Sequence, residues 1–264
     1  MNKTGEILSS SRDGGEERGG FGLSDGWDSI EEILTQVIPV YDKTNRFISF
    51  GTDLKVRKEG VSALLSRLKE AGKNSFNVLD VGSGPGRMTQ LITALDANNG
   101  PARIGDSVMF DALRPMMNVA LERNKSSGGM LGIYEAIPLR ARSFASVMAG
   151  FAIRDSRNLQ HALSEIHRIL EDEGYFLIVD LSRPDSRTKS VAISVYWKAI
   201  APFIAFIAAG RLGLKFGALY DTYKRLPRKR EFLEMLRLTG FEVTQQQFRM
   251  LDGVCIILLR KKSI

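Results

Sequence analysis

The sequence predicts an α/β protein with a doubly wound, mostly parallel sheet, and three observations lead to this prediction. Short apolar runs with strand character alternate with segments whose apolar residues recur at helical spacing. A glycine-rich stretch directly follows the first apolar run of this series. Two further apolar runs near the C-terminus are joined too closely for a helical crossover. Alternating strands and helices imply βαβ units, in which helices cover both faces of a parallel sheet.

The first element expected to be ordered is a helix that begins at Ser29. Residues 1–26 are rich in glycine, serine and mixed charge, so they are predicted to form a flexible extension. Ser29 and Glu32 fit a capping box, and Pro39 is expected to end this helix.

Seven strands and four further helices are predicted after this point. The helices are centred on 61–68, 89–95, 115–121 and 159–170. The strands are the runs FNVLDV, SVMF, MLGIY, SVMAGF, YFLIVDL, FEVTQQQF and GVCIILLRK. The last two should form an antiparallel hairpin at one edge of the sheet.

Composition and charge narrow the class of protein. With 264 residues, 44% of them hydrophobic, the chain can bury the core of one large α/β domain. The single cysteine, Cys255, lies in an apolar run, which indicates a buried strand residue and a reducing compartment. No secretory signal pattern is present, so a cytoplasmic protein is expected. No metal is expected either, because His161 and His167 lack partners at metal-ligand spacing.

The net charge of +7 predicts an acidic partner, either nucleic acid or an anionic membrane surface. Nucleic acid is the weaker candidate, because the basic residues are not interleaved with aromatic ones that could stack on bases. Oligomeric state stays open, and a homodimer is compatible with the sequence.

The glycine-rich stretch VLDVGSGPGRMT is the strongest functional signal. Gly82, Gly84 and Gly86 are spaced G-x-G-x-G, unlike the G-x-G-x-x-G of a dinucleotide site. Asp80 precedes them, and its carboxylate would repel a pyrophosphate but attract a cationic amino-acid group. Asp111 ends the next predicted strand, where a carboxylate can accept both hydroxyls of a ribose. S-adenosylmethionine has a ribose and an ammonium group but no phosphate, so it is the expected ligand. The alternative is that the three glycines only make a tight turn.

This stretch resembles motif I of class I S-adenosylmethionine-dependent methyltransferases, which implies their Rossmann-like fold. From about residue 38 to residue 262, the chain resembles the ubiquinone/menaquinone biosynthesis C-methyltransferases. The resemblance rests on VYDKTNRFISFG, EAIPL, GFAIRD, HALSEIHRIL, LYDTYKRLPRKREFLEML and DGVCIILLRKK. It implies methyl transfer from S-adenosylmethionine to a ring carbon of a polyprenylated quinol precursor, with S-adenosylhomocysteine as the other product. The methyltransferase domain would then span residues 27–264.

The resemblance also implies a set of cofactor-binding residues. These are Asp80, Gly82, Ser83, Gly84, Gly86, Thr89, Asp111, Ala112, Ile133, Tyr134 and Gly150. Relatives often carry Asp or Asn followed by Ala where Ile133 and Tyr134 stand, so recognition of the adenine amine must differ here.

Three residues are the candidates for catalysis. Arg154 would stabilise the phenolate that forms when a ring hydroxyl loses its proton. Asp155, which stands where relatives have asparagine, would accept that proton directly or through water, and Tyr41 would orient the ring. The alternative is that Arg154 and Asp155 form a surface ion pair next to the following helix.

Residues 186–226 contain the most apolar segment and are predicted to form a helical cap over the active site. Their longest uncharged run, from Ala199 to Gly210, is too short to span a bilayer, which takes about 20 residues. The cap either only packs on the domain or also enters the membrane interface. In the second case Lys198, Arg211, Lys215 and the cluster KRLPRKR would face anionic headgroups.

Two other functions stay open at this point. The chain could methylate a different hydrophobic small molecule, because motif I does not identify the acceptor. It could also be a degenerate cofactor-binding scaffold of a membrane biosynthetic complex, an alternative that the departures at Ile133, Ala145 and Asp155 keep alive.

Overall fold

A computed structural model describes residue 32, residues 35–98 and residues 103–262. The predicted N-terminal extension and the predicted helix start at Ser29 lie outside the described residues. Contrary to the prediction, Pro39 does not end helical structure. A 3₁₀ turn at Ile38–Val40 leads directly into helix α1 (Tyr41–Ile48), because proline fits the first turn of a helix, where its missing N–H needs no partner.

The other elements follow in chain order. They are α2 (Thr52–Glu70), β1 (Phe76–Val81), α3 (Arg87–Asn98), β2 (Ile104–Asp111), α4 (Arg114–Arg123), β3 (Gly128–Leu131), β4 (Phe144–Gly150), α5 (Leu159–Ile169), β5 (Leu170–Leu181), α6 (Arg187–Val195), α7 (Ala201–Ala209), α8 (Ala218–Arg225), α9 (Lys229–Leu238), β6 (Phe241–Arg249) and β7 (Val254–Lys261).

The sheet confirms the predicted fold class. Its seven strands are ordered β3-β2-β1-β4-β5-β7-β6. Strands β1 to β5 run parallel to one another, whereas β7 runs antiparallel to both β5 and β6. The predicted C-terminal hairpin therefore lies at one edge of the sheet. Strand β1 is central, so the glycine-rich loop lies at the middle of the sheet's carboxyl edge, where open α/β sheets bind ligands.

The third strand begins and ends earlier in the chain than the predicted run MLGIY, which covers residues 130–134. Strand β3 ends at Leu131, and Gly132, Ile133 and Tyr134 leave the sheet. The Gly132 N–H still donates to the Asp111 carbonyl at 3.1 Å, but the Tyr134 hydroxyl turns inward and donates to the Ala152 carbonyl at 3.2 Å. An apolar run therefore ends as loop because its tyrosine finds a partner across the sheet edge.

Helices cover both faces of the sheet, as a doubly wound fold requires. Neighbouring strand residues point to opposite faces. Leu79 belongs to the buried cluster that contains α5 and α9, whereas Val78 belongs to the cluster that contains α2 and α3. Cys255 is buried in β7.

Residues 187–225 form one helical stretch over the carboxyl edge of the sheet. A π-helical turn (Tyr196–Ile200) joins α6 to α7, and a 3₁₀ segment (Gly210–Gly217) joins α7 to α8. By length and composition alone, these 39 residues are long and apolar enough to cross a membrane. The expectation that the segment is too short rested on its twelve-residue uncharged run, and the helical stretch extends well beyond that run. In the structure it packs on α1 through Ile48, Ala201 and Phe216. We call residues 187–225 the cap. That the cap is an insertion that binds the substrate stays a prediction.

Candidate active site

The glycine-rich loop adopts a backbone that favours glycine at three positions. Gly82, Gly84 and Gly86 all have positive φ angles, of 63°, 51° and 78°. The Gly82 and Ser83 N–H groups donate to the Phe110 carbonyl at 2.7 and 3.1 Å, which fixes the loop against β2. A Cβ at Gly84 would meet no atom within 4 Å, so this part of the loop faces open space.

Asp80 lies beneath this loop and is almost completely buried. Its Oδ2 accepts hydrogen bonds from the Thr89 backbone N–H at 3.1 Å and the Thr89 hydroxyl at 2.7 Å. Its Oδ1 has no hydrogen-bond partner among the described residues. Burial raises the pKa of Asp80 to about 6, although the bonds from Thr89 oppose this shift. A cationic group at Oδ1 would therefore satisfy a buried acceptor and favour the ionised form.

Asp111 lies at the end of β2 with part of its hydrogen-bonding capacity unused. Oδ2 accepts from the Gly84 N–H at 2.7 Å, and Oδ1 accepts from the Leu113 N–H at 2.8 Å. A carboxylate has about four acceptor sites, so each oxygen can accept one more donor. The two hydroxyls of a ribose would match this requirement.

A cavity of about 320 Å³ opens above the loop. Its lining includes ten of the fourteen predicted site residues: Tyr41, Gly82, Ser83, Gly84, Asp111, Ala112, Tyr134, Gly150, Arg154 and Asp155. The other four, Asp80, Gly86, Thr89 and Ile133, do not line it. Thr89 is bonded to Asp80, and Gly86 packs so closely on Asn124 that a Cβ would lie 2.3 Å from its amide nitrogen.

Tyr134 narrows the cavity beside the glycine loop. A Cβ at Gly82 would lie 1.8 Å from the Tyr134 hydroxyl and 2.6 Å from the Ala152 Cβ. Glycine is therefore required at position 82 both by its φ angle and by the closeness of Tyr134. The large side chain of Tyr134 thus shapes the site next to the loop.

Arg154 lines the same cavity and is held by two carboxylates. Its Nη1 donates to Asp180 Oδ1 at 2.6 Å, and its Nε lies 3.7 Å from Asp155 Oδ1. The Arg154 side chain is 6% exposed and that of Asp180 is 1% exposed, so this is a buried ion-pair network and not a surface pair. Burial raises the pKa of Asp155 to about 6, an effect that Arg154 opposes and Asp180 strengthens.

Asp180 and Arg57 are two charged residues that sequence reasoning missed. Asp180 lies near the end of β5, where an acid after an apolar run could have been noticed, as it was for Asp111. Arg57 projects from α2 into the same cavity, where its Nη1 donates to the Gly150 carbonyl at 3.2 Å. An arginine between Val56 and Gly60 on the apolar face of a helix was the available signal.

Helix α1 closes the cavity from above. It supplies Tyr41, whose burial raises its pKa against the opposing charges of Arg154 and Arg57. The neighbouring Asp42 binds both Arg87 and Arg123 at 2.8 Å, which fastens α1 to α3 and α4.

Among residues 32, 35–98 and 103–262, no group of three or more His, Cys, Asp or Glu side chains is arranged to hold a metal ion.

Comparisons with known proteins agree with this geometry. The model of the ubiE/COQ5 methyltransferase family matches residues 24–262. The ubiquinone/menaquinone biosynthesis C-methyltransferase UbiE of Geotalea uraniireducens is 28% identical over 248 residues, which cover 92% of this chain and 100% of the relative. The demethylmenaquinone methyltransferase of Chlorobaculum tepidum is 25% identical over 214 residues, covering 81% and 84% of the two chains.

Solved structures support the fold alone. An S-adenosylmethionine-dependent methyltransferase from Thermotoga maritima, described as a possible histamine N-methyltransferase, aligns with a TM-score of 0.56 at 17% identity, covering 89% of this chain and 100% of that one. The [4+2]-cyclase SpnF aligns with a TM-score of 0.65 at 12% identity, covering 93% and 99%. A cyclase among these neighbours illustrates that the fold does not fix the reaction. The reaction follows instead from the family match across residues 24–262. This chain belongs to the ubiE/COQ5 methyltransferase family as an S-adenosylmethionine-dependent C-methyltransferase.

Proposed function

We propose that this enzyme methylates a ring carbon of a polyprenylated quinol precursor in the cavity between the glycine loop and Arg154. The family acts by C-methylation in quinone biosynthesis, so a hydrophobic quinol is the acceptor class. The observation that carries the finer proposal is one cavity lined by Gly84 and Asp111 together with Tyr41, Arg154 and Asp155.

The residues around the loop fit S-adenosylmethionine. The unpartnered Oδ1 of Asp80 would accept the ammonium group, and Asp111 would accept the ribose hydroxyls. The buried Ser83 hydroxyl, which also has no partner among the described residues, supplies a further polar contact. Arg57 interacts electrostatically with Asp80 and lines the same cavity, so it is the proposed partner of the cofactor carboxylate.

The chain itself must make the acceptor carbon nucleophilic. When bound, the cofactor supplies an electrophilic methyl group. Loss of the proton from a ring hydroxyl moves electron density onto the adjacent ring carbon, and Asp155 is the proposed acceptor of that proton. Arg154, whose side chain is only 6% exposed, stabilises the resulting phenolate. Tyr41, held on α1 beside the cavity, orients the ring so that the reacting carbon faces the methyl group. After the transfer, the hydrogen of that ring carbon is lost as a proton, which restores the aromatic ring, and reprotonation of the oxygen restores the free hydroxyl.

Mass spectrometry of the product tests this proposal. The protein would be incubated with methyl-labelled S-adenosylmethionine and a lipid extract that contains desmethyl quinols. We expect one labelled methyl group on a ring carbon, with both ring hydroxyls still free to be acetylated. Label on an oxygen or nitrogen atom, or label only in water-soluble products, would overturn it.

Peripheral contact of a cytoplasmic enzyme with an anionic membrane is the second part of the proposal. The cap exposes Phe203 and Ile207 by 63% and 66% of their surface, and α1 is followed by Phe50, which is 71% exposed. Lys198 and Arg211 lie on the same cap and are exposed. Apolar side chains with adjacent cations match an interface of acyl chains and anionic headgroups.

Co-sedimentation with liposomes is expected to show this contact. Binding should require anionic lipid, weaken at high salt, and fall when Phe203→Ser and Ile207→Ser are combined. Leu238→Ser is the matched control, because Leu238 is 77% exposed on α9, outside the cap. Equal binding to neutral liposomes, or equal loss in the control, would leave the cap as a cover for the active site alone.

A further inference from the structure

A second cavity of about 400 Å³ lies directly beside the reaction cavity. The two share Asp53 and Phe151 in their linings. The lining of the second cavity comes from residues 48–56, from Phe151, from the end of β5, from the first half of the cap and from the β6–β7 turn. Almost all of the lining surface is apolar, with contributions from Val56, Leu181, Ile193, Trp197, Ile200 and Val254. A polar ligand would find few hydrogen-bond partners here, whereas a hydrocarbon would lie against apolar side chains.

The turn between β6 and β7 keeps apolar side chains at the mouth of this cavity. Met250 and Leu251 are 42% and 58% exposed, and both line the cavity. Met250, Leu251 and Asp252 have φ angles of 51°, 57° and 65°, a left-handed conformation that bulky residues rarely adopt. Lys189 of α6 donates to Asp252 at 2.8 Å and holds the turn against the cap. Such strain is typical of functional segments.

Phe151 separates the two cavities and is also held in an unusual conformation. Its φ angle is 57°, its N–H donates to the Val179 carbonyl at 2.6 Å, and the Arg57 guanidinium lies 4.7 Å above its ring. One ring therefore borders both the cavity that contains Arg154 and the apolar cavity. A chain attached to a ring in the first cavity needs only to pass Phe151 to enter the second.

We infer that the second cavity binds the isoprenoid tail of the methyl acceptor. The tail passes Phe151 from the reaction cavity and leaves between Ile200 and the turn at Met250 and Leu251. This inference rests on the proposed function, because it assumes that the acceptor ring lies beside Arg154. The volume falls within the roughly 300–1,000 Å³ of small-molecule sites. Ile200 of the cap, which is 45% exposed, lines the cavity together with Met250 and Leu251, so a lipid tail can enter from an exposed apolar surface.

Kinetics with two acceptors test the tail site. Ala192 and the adjacent Val191 are both exposed, but only Ala192 lines the cavity. Ala192→Phe is expected to raise the KM for a prenylated quinol about tenfold or more, a loss of ~1.4 kcal/mol in binding. It should leave the KM for the same quinol without a tail unchanged. Val191→Phe, the matched control, should change neither. An equal effect of Ala192→Phe on both acceptors, or no effect on either, overturns the inference.

Tail binding can also be observed without turnover. Trp197 lines the cavity, and the only other tryptophan is Trp27, so a Trp27→Phe variant reports from Trp197 alone. Farnesol and geranylgeraniol, added as tails without a ring, should change its emission saturably, more tightly for the longer chain and not in Ala192→Phe. No response of Trp197 overturns the tail site. A response in a protein that methylates neither quinol supports the tail site and refutes the proposed function instead.

Discussion

Replacing Arg154 with alanine is expected to abolish methyl transfer while binding of S-adenosylhomocysteine stays nearly intact. Arg154 lines the cavity, and its Nε has no hydrogen-bond partner among the described residues. In the proposed mechanism its charge acts on the acceptor oxygen and not on the cofactor. Removing one donor that stabilises a developing oxyanion typically lowers kcat ~100- to 1,000-fold. Initial rates with labelled cofactor and calorimetry with S-adenosylhomocysteine measure the two effects separately.

The control must account for the ion pair that Arg154 forms with Asp180. Truncating one partner of a buried pair leaves an uncompensated charge and costs about 3–5 kcal/mol of stability. The double variant Arg154→Gln, Asp180→Asn removes both charges and should keep the fold, which its melting temperature checks. It should be as inactive as Arg154→Ala. Asp111→Ala is the contrast, because it should weaken S-adenosylhomocysteine binding instead. Joint loss of turnover and cofactor binding in the Arg154 variants would contradict the assignment.

The fold could be predicted because its signals are local. Strand and helix spacing, the glycine loop and the closely joined C-terminal runs each reflect interactions between residues near in sequence. The length of β3 could not be predicted, because it depends on Tyr134 reaching the Ala152 carbonyl from another loop. A single apolar run cannot reveal a partner that folding brings from elsewhere.

The same reason limits the prediction of the site. Asp80, Asp111 and Arg154 follow strands or belong to motifs, so their types and positions indicated a function. Asp42 binds Arg87 and Arg123, which lie 45 and 81 positions away, and neither pairing has a local signature. The apolar cavity beside Phe151 is formed by five separate segments, so no stretch of sequence could have indicated it.

Asp155 is expected to give the enzyme an acid limb in its pH–rate profile near pH 6. Burial raises its pKa to about 6, with Arg154 opposing and Asp180 adding to the shift. A general base must be ionised, so kcat/KM should rise as pH increases through this value and level off above it. Asp155→Asn should lower kcat ~100-fold or more and remove this limb. The measurement is a set of initial rates from about pH 5 to pH 9 for both proteins, a range that brackets this pKa.

The thermal stability of Asp155→Asn distinguishes a role of Asp155 as general base from a purely structural role. A carboxyl whose folded-state pKa is raised contributes stability at low pH, and this contribution is lost as pH rises through about 6. At neutral pH the ionised Asp155 therefore lowers the free energy of unfolding, and Asp155→Asn should melt at the same or a higher temperature. Inactivity in a protein of undiminished stability would identify the carboxylate as the base. A fully active Asp155→Asn with an unchanged acid limb would contradict this role and assign the proton transfer to another group beside Arg154.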